Sequence, residues 1–141
     1  MAVRLFGTVV DVRTVLTGAA VALVICVPVA VLLTMSIDEG SGWSVVAVLV
    51  AGLGFAVGGA VAGRRRPGAP AVHGALAAGV AVGILVVIRI ARRLLADEDI
   101  VWGSIAVSVI LAVWLGVGGA LVSARRAWAR READASLHES S

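Results

Sequence analysis

The stretch GGAVAGRRRPGAPAVHG, residues 58–74, separates two long apolar runs with three consecutive arginines, two prolines and a histidine. About 20 apolar residues rising 1.5 Å each cover the ~30 Å of hydrocarbon in a bilayer. The runs on either side meet that length with almost no charge. Arginines closing such a run stay among the lipid headgroups, and Pro67 and Pro70 break the helix so that the chain can return. The stretch therefore reads as the turn of a membrane hairpin.

The rest of the chain agrees. Of 141 residues, 60% are hydrophobic and the mean hydropathy is +1.05, beyond the range of ordinary soluble domains. Four segments are long enough to span, roughly 14–37, 43–63, 71–90 and 100–124. The fold class expected is all-α, an integral membrane four-helix bundle. The first segment is too long for the apolar region of a signal peptide, and no small-x-small cleavage site closes it. Cys26 is isolated in mid-span, which suits neither a disulfide framework nor a metal site.

All twelve cations are arginine, a choice read as codon bias of a GC-rich bacterial genome. They cluster at span ends rather than along one soluble face, so the basic balance does not indicate a nucleic-acid partner. With the N-terminus inside, nine arginines face the cytoplasm: Arg4, Arg13, Arg64, Arg65, Arg66, Arg125, Arg126, Arg130 and Arg131. Three, Arg89, Arg92 and Arg93, face outward. The positive-inside rule then sets both termini in the cytoplasm, with 1–13 as a cytoplasmic N-terminus and 125–141 as a polar cytoplasmic tail. Arg64, Arg65, Arg66, Arg125 and Arg126 are the expected topology anchors. The tail has too few apolar residues to fold alone.

An internal repeat supports this orientation. DEGSGWSVVAVLV (38–50) matches DEDIVWGSIAVSV (97–109) at an offset of 59, and VGGA recurs at 57–60 and 117–120. Two copies of one helical hairpin are expected, related by an axis along the membrane normal. Both Asp-Glu turns would lie outside, with Trp43 and Trp102 at equivalent interfaces.

Small residues recur every four positions in each span. In lipid, apolar side chains gain little by meeting one another, so close backbone approach along such stripes supplies the packing. The candidate packing residues are Gly54, Gly58, Gly59, Gly79, Gly83, Gly116, Gly118 and Gly119, with Leu53 expected to face lipid. Pro28 should bend the first span. His73 should sit as an interfacial imidazole where the third span begins. Arg89, Arg92 and Arg93 share a face at the outer end of that span, where Arg93 can pair with Asp97 or the group can contact lipid phosphate.

No carboxylate lies inside any span, although a proton-coupled exporter needs an ionisable group there. Walker, HExxH and GxSxG patterns are missing from the sequence. No catalytic, cofactor-binding or metal-ligating residue is assigned, and an enzyme is not expected.

At Gly58, Gly59, Ala62, Gly63, Arg64, His73 and Gly74 the chain resembles the YrzE-like group of small bacterial four-helix membrane proteins. The resemblance covers about 17 residues closely and the other spans only in layout; the extra arginines and Pro67 depart from it. That group has no established activity, so the resemblance implies location and architecture rather than chemistry. The expected function is that of a non-catalytic scaffold or accessory subunit of a membrane complex in the bacterial inner membrane. The alternative is a small oligomeric transporter or pore, for which Thr17, Thr34, Ser104 and Ser108 offer few lumen candidates. Expected partners are the lipid bilayer and either another membrane protein or a second copy as a homo-oligomer.

Overall fold

The computed structural model describes residues 2–5, 8–36, 43–65 and 68–139. Strands β1 (Ala2–Leu5) and β2 (Thr8–Asp11) precede four helices, α1 (Val12–Ser36), α2 (Trp43–Arg65), α3 (Pro70–Leu95) and α4 (Trp102–Glu139). The helices pack together as an all-α four-helix bundle, as expected. Each is long and apolar enough to cross a membrane, which suggests a multi-pass membrane protein. The Asp38–Glu39 turn and Arg66 fall outside the described residues.

The interior is built from small side chains and the exterior from large ones. Ala62, Ala77, Ala81 and Ala120 are wholly buried, while Leu49, Leu53, Val87 and Leu95 are exposed. A soluble protein would carry such an apolar exterior as an aggregation liability, whereas hydrocarbon solvates it. Leu53 faces outward as expected. Pro28 lies within α1 on its exposed face, and the helix continues through it to Ser36.

Going round the bundle the order is α1, α2, α4, α3, with α2 and α3 also in contact across the middle. In the α1/α2 seam, a methyl group at Gly58 would lie 2.5 Å from the Gly18 carbonyl oxygen, and one at Gly54 would lie 2.8 Å from Cys26 Sγ. The Cys26 thiol crosses the same seam to donate to the Ala51 carbonyl at 3.4 Å. Glycine is required here because any Cβ would occupy the neighbouring helix. On the other side of α2, Gly59 abuts the Gly116 carbonyl, Gly119 abuts the Ala56 carbonyl and Gly63 abuts Ala120. Along each ridge of spacing four the residue numbers rise together, from Ala56·Gly119 to Ala60·Ser123 and from Gly59·Gly116 to Gly63·Ala120, so α2 and α4 run parallel.

A shift of 60 exchanges the pair Gly59·Gly116 with the pair Ala56·Gly119, so the α2/α4 seam has a local two-fold character. The relation ends there. A true axis exchanging the hairpins would make α1 against α4 equivalent to α3 against α2, yet α3 packs on α2 while α1 and α4 occupy opposite corners. The small-residue stripes need a matching correction. Gly79, Gly83 and Gly118 have the expected spacing, but a Cβ on any of them would meet nothing within 4 Å. They face out of the bundle, and Gly118 does not share the packing role of its sequence counterpart Gly58.

Two segments are more ordered than the sequence led us to expect. Residues 2–5 and 8–11, read only as part of a cytoplasmic N-terminus, form an antiparallel strand pair with Ala2 opposite Asp11 and Leu5 opposite Thr8. The tail after residue 124 continues α4 as helix to Glu139. At about 1.5 Å per residue, the 38 residues of α4 extend roughly 57 Å, longer than the ~30 Å that a spanning helix needs.

The α3–α4 turn is closed by its own chain. Asp97 adopts the left-handed conformation at φ 55°, and Glu98 N donates to the Arg93 carbonyl at 2.9 Å, as in a Schellman cap. The Arg93 guanidinium donates to the Asp99 carbonyl. Arg93 is therefore tied into this turn through the Asp99 carbonyl. Arg89 and Arg92 remain exposed on the preceding turn of α3.

Candidate functional site at the arginine end

Two features converge where α2 ends and α3 begins. The first is His73, expected at an open interface but only 1% exposed. Pro70 opens α3 at a position where its missing N–H costs nothing, and places His73 one turn in. His73 Nδ1 lies 2.9 Å from the Ala69 carbonyl oxygen, and Nε2 accepts the Asp11 backbone N–H at 3.3 Å. That pair of partners fixes the neutral tautomer carrying its proton on Nδ1. Asp11 in turn starts α1, its carboxylate accepting from Arg13 N at 3.1 Å and from the Thr14 hydroxyl at 3.2 Å. The imidazole thus joins the last residue of β2, the first turn of α1 and the first turn of α3. Both its ring nitrogens serve backbone groups, so its arrangement is that of a structural pin.

The second feature is the arginine cluster. Arg64 and Arg65 close α2, where cations suit the negative end of the helix dipole. Arg65 Nη1 reaches Thr17 Oγ1 on α1 at 3.4 Å, and that hydroxyl donates to the Arg13 carbonyl at 2.8 Å. On α4, Ser123 Oγ lies 3.1 Å from the Ala60 carbonyl across the seam and 2.8 Å from its own Ala120 carbonyl. This holds Arg125 and Arg126 at the level of Arg64. The charges that the sequence scatters over 60 residues therefore share one end of the bundle.

Running away from this end, on the outer side of the α2/α4 seam, is an open groove of about 420 Å³. Val57, Trp114 and Val122 form its walls, Gly118 leaves it open, and Arg64 and Arg126 line its charged end. This groove was not foreseen from sequence. Its signal was the pair Gly118-Gly119, of which one glycine meets a helix and the other meets nothing.

Of the polar lumen candidates, Thr17 and Ser108 are bonded to carbonyls of their own helices, Ser108 Oγ at 2.7 Å from the Ser104 oxygen. Among the described residues no group of three or more His, Cys, Asp or Glu side chains is placed to hold a metal ion. No family model, curated protein or solved structure matches the chain.

Proposed function

We propose that the chain is a non-catalytic, multi-pass protein of the bacterial cytoplasmic membrane, with both termini inside, acting as a scaffold or accessory subunit of a membrane complex. The observation that carries this reading is the distribution of its side chains. Among the described residues the interior is mostly alanine and glycine, and its buried polar side chains, Thr14, His73 and Ser123, are each bonded within the protein; the exterior is large and apolar. The arginines gathered at one end support the orientation through the positive-inside rule. Trp102 and Trp128 are both exposed on α4, 26 residues or roughly 39 Å apart, a spacing suited to the two interfacial layers. The resemblance to the YrzE-like group is consistent with this location.

The test combines topology with composition. In a Cys26→Ala background, a cysteine at Ser41 should react with an impermeant maleimide in intact cells, and a cysteine at Gly68 should react only after permeabilisation. The reverse pattern refutes the orientation. Purification of the intact chain in mild detergent should then recover a stoichiometric membrane partner. Recovery of a homo-oligomer alone would favour the pore reading instead.

A further inference from the structure

We propose that the α2/α4 groove binds one anionic phospholipid of the leaflet at the arginine end, with an acyl chain along the groove and the phosphate between Arg64 and Arg126. The proposal rests on the reading that the four helices span a bilayer.

Three observations define the occupant. The first is length. From Trp114 to Arg126 the groove follows 12 residues of α4, about 18 Å, close to the ~15 Å of hydrocarbon in a single leaflet. A partner transmembrane helix would need a face running through both leaflets. The second is the pattern of the lining. Val57, Trp114 and Val122 are exposed and apolar, Gly118 leaves space that a side chain would fill, and charge appears only at the end. That is the layout of a lipid, with tail towards mid-membrane and anion at the headgroup.

The third observation concerns the two arginines. Arg65 is bonded to Thr17 and Arg93 to the Asp99 carbonyl, whereas Arg64 and Arg126 have no hydrogen bond or ion pair among the described residues. Two unpaired guanidinium groups at one mouth form a fork suited to phosphate oxygens. They also disfavour a second copy docking in parallel through this face, because four arginines would then meet. A zwitterionic headgroup brings its own cation to the same place, so a lipid with net negative charge is preferred.

The test uses the intact chain in detergent, titrated with phosphatidylglycerol or phosphatidylcholine and read by native mass spectrometry. One phosphatidylglycerol should be retained at concentrations where phosphatidylcholine is lost. Arg64→Gln with Arg126→Gln should weaken it about 30-fold, at roughly fivefold per arginine near a membrane surface. Arg125→Gln with Arg130→Gln, an equal loss of charge outside the groove, should change it less than threefold. Gly118→Phe should fill the groove and abolish retention while leaving the thermal melt at the parent value, since a side chain there meets open space. Equal weakening by both arginine pairs, or retention in a folded Gly118→Phe variant, overturns the proposal. Displacement of the lipid by inorganic phosphate alone overturns it too, by reducing the site to an anion contact. Extraction of the protein from membranes by alkaline carbonate would instead refute the spanning reading. An embedded protein without lipid preference refutes only the groove.

Discussion

Gly118 and Gly119 are neighbours on α4, at the same depth, and changing either to alanine gains the same intrinsic helix propensity, about 1 kcal/mol. Their surroundings differ. A methyl group at Gly118 meets nothing within 4 Å, while one at Gly119 lands on the Ala56 carbonyl of α2. The obstacle is backbone and cannot rotate away, so α2 and α4 must separate by on the order of 1 Å. A gap of that size forfeits about a quarter to a half of each dispersion contact across the seam. With on the order of 30 atom pairs at about 0.1–0.2 kcal/mol each, the loss is roughly 1–3 kcal/mol. Gly119→Ala should therefore be about 2 kcal/mol less stable than Gly118→Ala. Gly118→Ala should match or slightly exceed the parent. The assay is unfolding of the purified chain by titration from mild detergent into dodecyl sulfate, followed by helical circular dichroism. Equal midpoints for the two variants would mean that α2 and α4 do not meet through this face, and the parallel seam would have to be abandoned.

His73→Ala removes a buried ring and leaves the Asp11 N–H without its acceptor, so the same titration should show a loss of about 2–4 kcal/mol. His73→Gln restores an acceptor and should recover part of that loss; an equally unstable Gln variant would assign the effect to ring packing alone. Asp97→Gly should stabilise by about 0.5–1 kcal/mol, because glycine adopts the left-handed cap without the cost carried by a side chain. A destabilised Gly variant would refute that conformation. Ser123→Ala should cost about 0.6 kcal/mol, the usual value for one interhelical hydrogen bond in a membrane protein, and a loss above about 2 kcal/mol would point to a role beyond it.

The four helices were legible because the signal is local: length and apolar content alone mark a span, and arginine clusters mark its ends. The faces were not. Gly54, Gly58, Gly79, Gly83 and Gly118 all fit a small-residue stripe, yet only the first two meet a neighbouring helix. In a chain this rich in glycine and alanine, spacing identifies a stripe without saying which side of the helix is inward. The helical course of the tail was not legible for a related reason. WARREADASLHE is polar, but its Ala, Arg, Glu and Leu are good helix formers, and an existing helix extends without a new nucleation cost. Polarity marks where an apolar span ends, not where the helix stops. The strand pair escaped notice because four-residue strands show little periodicity. The role of His73 escaped because its partner at Asp11 lies 62 residues away.

That separation also imposes an order on biogenesis. The carboxylate of Asp11 caps α1 through Arg13 and Thr14 as soon as the first turn is made, a bond within four residues of sequence. The imidazole that receives the Asp11 amide is not yet synthesised. At about 5–20 residues per second, the ribosome adds His73 roughly 3–12 s later. The pin can be set only when α3 arrives, so the strand pair is fastened to the bundle as a late step of folding.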